Sequence, residues 1–240
     1  MRNISLVGIL FLSFTCLSQG RGMVWGEYGI KGKVYKDLDW GVELTTRFGS
    51  YGLETYFPQL TLKYKVTKWF RPSVDFRGIF NLDEYKNYAY SNRLNCNADL
   101  KHEMDRFRFG GRVRYQFSFN SLSTNQNYDV EFDQAIRIKP WIGYDFKGSF
   151  ISPTASVEFF YNPVYGPEGR KFRKYRAFVG VDLEIESPHE ISLGYILDQE
   201  INAADPSTTH ILSVAYSYNL GYTKTDKKKK KKKGGSIRSL

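Results

Sequence analysis

The sequence predicts an all-β fold, an up-and-down antiparallel β-barrel, on three observations. Segment after segment alternates apolar and polar side chains with a period of two, which puts successive side chains on opposite faces of a strand. The connections between segments are short and long by turns. No amphipathic helical pattern competes between the two ends of the chain. FRFGGRVRYQFSF (Phe107–Phe119) shows the alternation most plainly. Phe107, Phe109, Val113, Tyr115, Phe117 and Phe119 share one face, and Arg108, Arg112, Arg114, Gln116 and Ser118 share the other.

Taken in chain order, Trp25–Val34 is a weak first segment. In WGVELTTRF, Trp40, Val42, Leu44 and Phe48 oppose Glu43, Thr45 and Arg47. In LTLKYKV, Leu60, Leu62, Tyr64 and Val66 oppose Thr61, Lys63 and Lys65. Phe70, Val74, Phe76 and Phe80 oppose Arg71, Asp75 and Arg77; Leu94, Cys96, Ala98 and Leu100 oppose Arg93, Asn95, Asn97, Asp99 and Lys101. After Phe107–Phe119, Ile136, Ile138, Ile142 and Tyr144 oppose Arg137, Lys139 and Asp145. Ala155, Val157, Phe159 and Tyr161 oppose Ser156 and Glu158. Val179, Val181, Leu183 and Ile185 oppose Arg176, Asp182, Glu184 and Glu186. Ile191, Leu193, Tyr195 and Leu197 oppose Glu190, Ser192 and Asp198, and Leu212, Val214, Tyr216 and Tyr218 close the series.

Short connections fall at Lys36–Asp39, Thr67–Trp69, Met104–Asp105, Lys147–Ser149 and Ser187–Pro188. Long polar ones fall near Asn81–Asn92, Asn120–Glu131, Asn162–Lys171 and Glu200–Thr208. That rhythm predicts a meander with tight turns at one end and loops at the other.

The two ends of the chain differ from its body. Residues 1–20, MRNISLVGILFLSFTCLSQG, carry Arg2, an apolar stretch from Ile4 to Leu17 and small residues after it, the pattern of a secretory signal peptide too short to span a bilayer. Cys16 raises a lipoprotein alternative, but bulky Phe14 stands where a small residue is expected. Once Cys16 is removed, Cys96 is the single thiol of the barrel region 21–226 and no internal disulfide can form. Residues 227–240 form a Lys-rich tail, expected to be disordered. The formal charge is +10, and Arg2, the seven lysines Lys227–Lys233 and Arg238 supply nine of those positives, which leaves +1 for the rest. The basic balance therefore belongs to the tail, and a nucleic-acid partner is not expected.

An alternating barrel can bury its apolar face in a core or turn it to lipid. The export signal, segments of about ten residues and aromatics at 17% of the chain favour lipid. Trp40, Trp69 and Phe70 sit beside short turns, where an interfacial girdle belongs. A mean hydropathy of −0.47 is compatible, because only alternate residues need face lipid. The fold expected is thus a transmembrane barrel with short periplasmic turns and longer outer loops. It would lie in the outer membrane of a Gram-negative bacterium, reached through the Sec pathway, with lipid and the barrel-assembly machinery as partners. The first weak segment brings the count to eleven, which would begin the chain at the loop end. Single-chain bacterial barrels have even strand number, so ten or twelve strands are expected.

The chain resembles a family of Bacteroidota outer-membrane barrels catalogued as domain of unknown function 2490. The resemblance rests on Trp25; Trp40 with Glu43 and Arg47; LKYKV before Trp69; FRFGGRVRYQ; PTASVEFFY; RKYR at Arg173–Arg176; HEISLGY; and HILSVAYSY. It implies a barrel of unassigned activity. The chain departs from the family's pattern by continuing past Tyr222 into the lysine tail.

Candidate functional residues are the charges of the inward face: Arg71, Arg77, Arg93, Lys101, Arg108, Arg112, Arg114, Arg137 and Lys139 on the middle segments, and Glu158, Arg176, Asp182, Glu184, Glu186, Glu190 and Asp198 on the later ones. Closure is expected to set the two groups across from one another. Such a lumen is either plugged by ion pairs or a narrow, porin-like pore for small charged solutes. A lipid hydrolase or acyltransferase is a further alternative, but His102 and His189 fall near the turn end. His210 and Ser213, three apart, point to opposite faces, so no nucleophile–base pair forms locally. No catalytic residue, metal ligand set, phosphate loop or cofactor is expected. Polar loop tips such as Asn81–Asn92 and Asn162–Lys171 offer binding surfaces without naming a ligand.

Overall fold

The computed structural model describes residues 20–82, 85–119, 134–166, 169–183, 185 and 188–220. Residues 1–19 of the expected signal peptide, the expected loop at 120–131, Glu184, Glu186 and the lysine tail lie outside the described residues. Eleven strands follow in chain order: β1 (Arg21–Tyr35), β2 (Leu38–Gly49), β3 (Gly52–Tyr64), β4 (Phe70–Leu82), β5 (Tyr88–Met104), β6 (Phe107–Phe119), β7 (Gln134–Tyr144), β8 (Ile151–Asn162), β9 (Lys171–Leu183), β10 (His189–Glu200) and β11 (Thr208–Asn219). Each pairs with its sequence neighbours, and β1 pairs with β11 to close the barrel.

The even strand number expected from the sequence is therefore corrected to eleven. Sequential hairpins make ten antiparallel neighbours. With an odd count the first and last strands must then run the same way. β1 and β11 pair in parallel over eleven consecutive positions, from Arg21 opposite Thr209 to Lys31 opposite Asn219. β1 thus starts at the loop end, and β11 finishes at the turn end.

The rhythm of connections is also less strict than the sequence suggests. β2 and β3 meet at the loop end through only Ser50 and Tyr51, with Gly52 at φ 84° completing the tight turn. β3 begins eight residues before the alternation at Leu60 becomes regular. A register shift opposite Arg47 and Phe48 displaces Glu54 and Thr55 from strict parity, and Pro58 interrupts the pattern, so this stretch does not read as a strand. The stretch Asn81–Asn92 is largely strand, with β4 ending at Leu82 and β5 starting at Tyr88.

Two faces follow from the pleat. The outward positions, from Val24–Val34 in β1 to His210–Tyr218 in β11, carry no Asp, Glu, Lys or Arg; Arg173 sits in the bulge opposite Phe160 and Tyr161. Val113, Val179 and Leu62 remain 48%, 57% and 47% exposed. Cys96 is on this outer face and exposed. Aromatic contacts gather at the two rims. At the loop end, Tyr56 stacks on Phe80 at 4.6 Å and Phe80 meets Tyr90 at 4.8 Å. At the turn end, Phe107 meets Tyr144 at 4.9 Å and His189 meets Tyr218 at 5.4 Å. Between the rims the outer wall mixes aliphatic residues with rings such as Tyr28, Phe76 and Tyr115. The inward face is polar and buried: Asp75, Asn95, Asn97, Arg114, Gln116, Arg137 and Glu158 are all shielded inside the closed sheet.

Candidate functional site

The lumen is built by the polar parity of each strand, so the site residues are placed by the same alternation that closes the wall. Among the described candidates, Arg71, Arg77, Arg93, Arg108, Arg112, Arg114, Arg137, Lys139, Glu158, Arg176, Asp182, Glu190 and Asp198 all occupy inward positions. Lys101 does too, and pairs with Glu103 at 3.0 Å.

Their pairing differs from the transverse arrangement expected. Most cations find their carboxylate on an adjacent or next-adjacent strand. Arg137 of β7 donates from Nε and Nη2 to the two oxygens of Glu158 on β8, at 2.9 and 2.8 Å. Arg112 of β6 grips Asp99 of β5, which also meets Lys63 at 3.5 Å. Arg114 donates to Asp75 of β4 at 3.0 Å and to Asn97 of β5 at 2.5 Å, while Asn97 donates to Asp75 at 2.9 Å. Arg176 holds Asp198 at 2.6 Å and lies 4.0 Å from Glu158; Lys174 approaches Asp198 at 3.4 Å. Arg108 reaches further round, contacting Asp145 at 2.8 Å and Asp182 of β9 at 3.9 Å. The physical reason is distance: facing side chains on paired strands are about 5 Å apart, far less than the width of the lumen. Asp75 and Asp99 lie close enough to pair Arg114 and Arg112 without help from β9 or β10.

The charge asymmetry runs along the axis instead. A cavity of about 270 Å³ occupies the central and loop-side lumen, and its walls carry ten basic and four acidic side chains. A smaller cavity of about 60 Å³ lies toward the turn end, lined by Glu27, Glu43, Asp182 and Glu190 against Lys31. Lys31 pairs with Glu190, which also accepts from Ser217 Oγ at 3.1 Å.

Aromatic rings hold the guanidinium planes of the larger cavity. Arg47 lies 4.1 Å and Arg176 4.7 Å from the Trp25 ring; Arg77 stacks 4.2 Å from Phe57, and Arg137 4.4 Å from Phe160. Stacking fixes the plane while leaving the N–H edge to donate. These inward rings escaped the reading of the sequence. Phe160 is hidden by its outward neighbour Phe159, and Phe57 lies in the irregular part of β3; Trp25, on the parity of Glu27, is the one with a visible signal.

The residues weighed for hydrolysis do not meet. His210 is on the outer wall, bonded to Tyr195, whereas Ser213 lines the lumen. His189 contacts Tyr216 at 2.8 Å at the turn end. Among the described residues no group of three or more His, Cys, Asp or Glu side chains is placed to hold a metal ion.

The family of proteins of unknown function catalogued as domain of unknown function 2490 matches residues 22–210, from the start of β1 into β11. The chain belongs to that family. The matched span of this domain of unknown function 2490 protein covers every residue that lines the basic cavity except Ser213. No curated protein and no solved structure matches the chain.

Proposed function

We propose that the protein is an outer-membrane β-barrel of a Gram-negative bacterium, exported through Sec and inserted by the barrel-assembly machinery. Its lumen is braced shut to bulk flow by ion pairs, and its part is structural rather than catalytic. The observation that carries this reading is the outer wall: among the described residues, eleven strands with no charged outward side chain apart from Arg173 in the β9 bulge, bounded by aromatic rims. Water would favour charges at some of those positions, whereas hydrocarbon penalises each one. A closed hydrogen-bonded wall suits the bilayer as well, since unpaired amides cost several kcal/mol each in lipid. Long loops would face outward and short turns the periplasm. The start of β1 then reaches the outer surface.

Heat-modifiability tests the location. Extracted from membranes in detergent, the unboiled protein should migrate differently from the boiled one. A protein recovered monomeric from the aqueous fraction without detergent overturns the reading.

A second reading, a narrow pore for small charged solutes, is favoured by the larger cavity, whose basic walls suit anions. Planar-bilayer recordings separate the two: steady anion-selective unitary currents support the pore, and a silent, heat-modifiable barrel supports the braced lumen.

A further inference from the structure

We propose that the larger cavity is a binding site for a small multivalent oxyanion, a free phosphate-class or sulfate-class group, held in the lumen by Arg77 and Lys139. Ten basic side chains face four acidic ones around about 270 Å³, just below the range of ordinary small-molecule sites, about 300–1,000 Å³. Three of the four carboxylates are already engaged, and the fourth, Glu27, feels the charges of Arg77 and Lys139 but forms no ion pair with either among the described residues. Glu158 is taken by Arg137, Asp75 by Arg114, and Glu43 accepts from Gln59 at 2.9 Å.

Arg77 has no carboxylate partner among the described residues. Its Nε donates to Gln59 Oε1 at 2.9 Å, its plane is fixed by Phe57, and the charges that reach it most strongly are those of Arg114, Arg93, Arg137 and Arg47. Lys139 makes no hydrogen bond and no ion pair among the described residues, and lines the same cavity. Its place in the wall is unusual as well. The β7–β8 ladder is paired at Ile138 and again at Trp141 but not at Lys139 and Pro140, as a residue without an N–H dictates. Buried cations of one sign repel one another and have lost most of their water. A dianion or trianion offsets that cost with charge-assisted hydrogen bonds, which a planar guanidinium donates in pairs. The site lies inside the strand wall, so its occupant enters as a free solute rather than as a lipid headgroup.

The site does not depend on which membrane, if any, surrounds the barrel, so its test is separate from that of location. The purified full chain in neutral detergent is titrated with sodium phosphate and sodium pyrophosphate. Sodium chloride at matched ionic strength is the control, and the melting of the compact gel form is followed. A saturable rise in midpoint is expected, larger for pyrophosphate, together with saturable broadening of the phosphorus resonance of the added anion. Lys139→Met and Arg77→Gln should each raise the half-saturating concentration tenfold or more, while Lys147→Gln, in the turn after β7, should leave it unchanged. Should a lumen variant fail to fold, the wild-type resonance decides alone. A rise matched by chloride, absence of broadening, or folded variants that titrate like the wild type overturns the proposal.

Discussion

Arg137 and Glu158 meet across the β7–β8 ladder as a two-pronged pair, with both carboxylate oxygens taken by one guanidinium at 2.9 and 2.8 Å. The same carboxylate lies 4.0 Å from Arg176, and the Arg137 plane rests on Phe160. Glu158 is thus the shared counter-charge of two strands, in a wall segment otherwise rich in cations.

Removing that charge should be costly. Glu158→Gln leaves the buried Arg137 guanidinium without its carboxylate, while Arg176 keeps Asp198; breaking a buried pair in this way is worth about 3–5 kcal/mol. The expected result is a clear fall in the temperature at which the unboiled gel form is lost. Replacing both partners, as Arg137→Met with Glu158→Leu, should cost less than Glu158→Gln alone. A double variant that melts lower than the single one contradicts this account.

Gly194 and Phe178 form a second tight relationship. A Cβ on Gly194 would lie 2.2 Å from Phe178 Cε2, because the ring folds over the Gly180–Gly194 pair between β9 and β10. Gly194→Ala should destabilise the barrel by about 1–3 kcal/mol, the usual range for overpacking. Adding Phe178→Ala should recover part of the loss, a coupling that a double-mutant cycle in melting temperature would read directly.

Val179 tests the outer wall. It sits near the middle of β9, 57% exposed and opposite Ala155 and Tyr195. On the proposed outer-membrane reading, Val179→Arg would place a guanidinium at the depth of the acyl chains, which costs about 2–4 kcal/mol at a bilayer midplane. Reduced insertion, measured as the ratio of compact to unfolded bands in the membrane fraction, is the expected outcome. In a barrel surrounded by water the same change would leave assembly unaffected.

Glu54 governs one rim locally. It accepts from the Tyr51 N–H at 3.3 Å and pairs with Arg21 at the start of β1. Glu54→Ala should free the Ser50–Tyr51 turn and speed chymotryptic cleavage after Tyr51, which is 76% exposed. The overall melting temperature should move little, since both of these interactions sit at one edge of the wall.

Much of this architecture was legible from residue order because side-chain direction in a strand repeats every two positions. Phe107–Phe119 discloses both of its faces on sight, and Arg108, Arg112 and Arg114 point where the alternation puts them. Two things were hidden for different reasons. The start of β3 was obscured by a local event, the register shift opposite Arg47 that breaks the very period used to find strands. The partners of the lumen charges were obscured by a global one. Asp75 and Asp99 reach Arg114 and Arg112 only through the registers of β4, β5 and β6, and registers are properties of pairs, not of segments. The joining of β1 to β11 is of the same kind, which is why an eleven-segment count could be mistaken for an error.

That junction has a consequence for biogenesis. Arg21 finds its ladder partner at Thr209, so nearly the whole polypeptide must be delivered before the ring can be sealed. A product cut short before residue 208 would keep its first ten strands yet present bare amides along β1 and β10. On the outer-membrane reading proposed above, such a ribbon would carry a cost of several kcal/mol for each bare amide in hydrocarbon and would stay with the insertion apparatus. Delivery of β11 would then be the step that permits release.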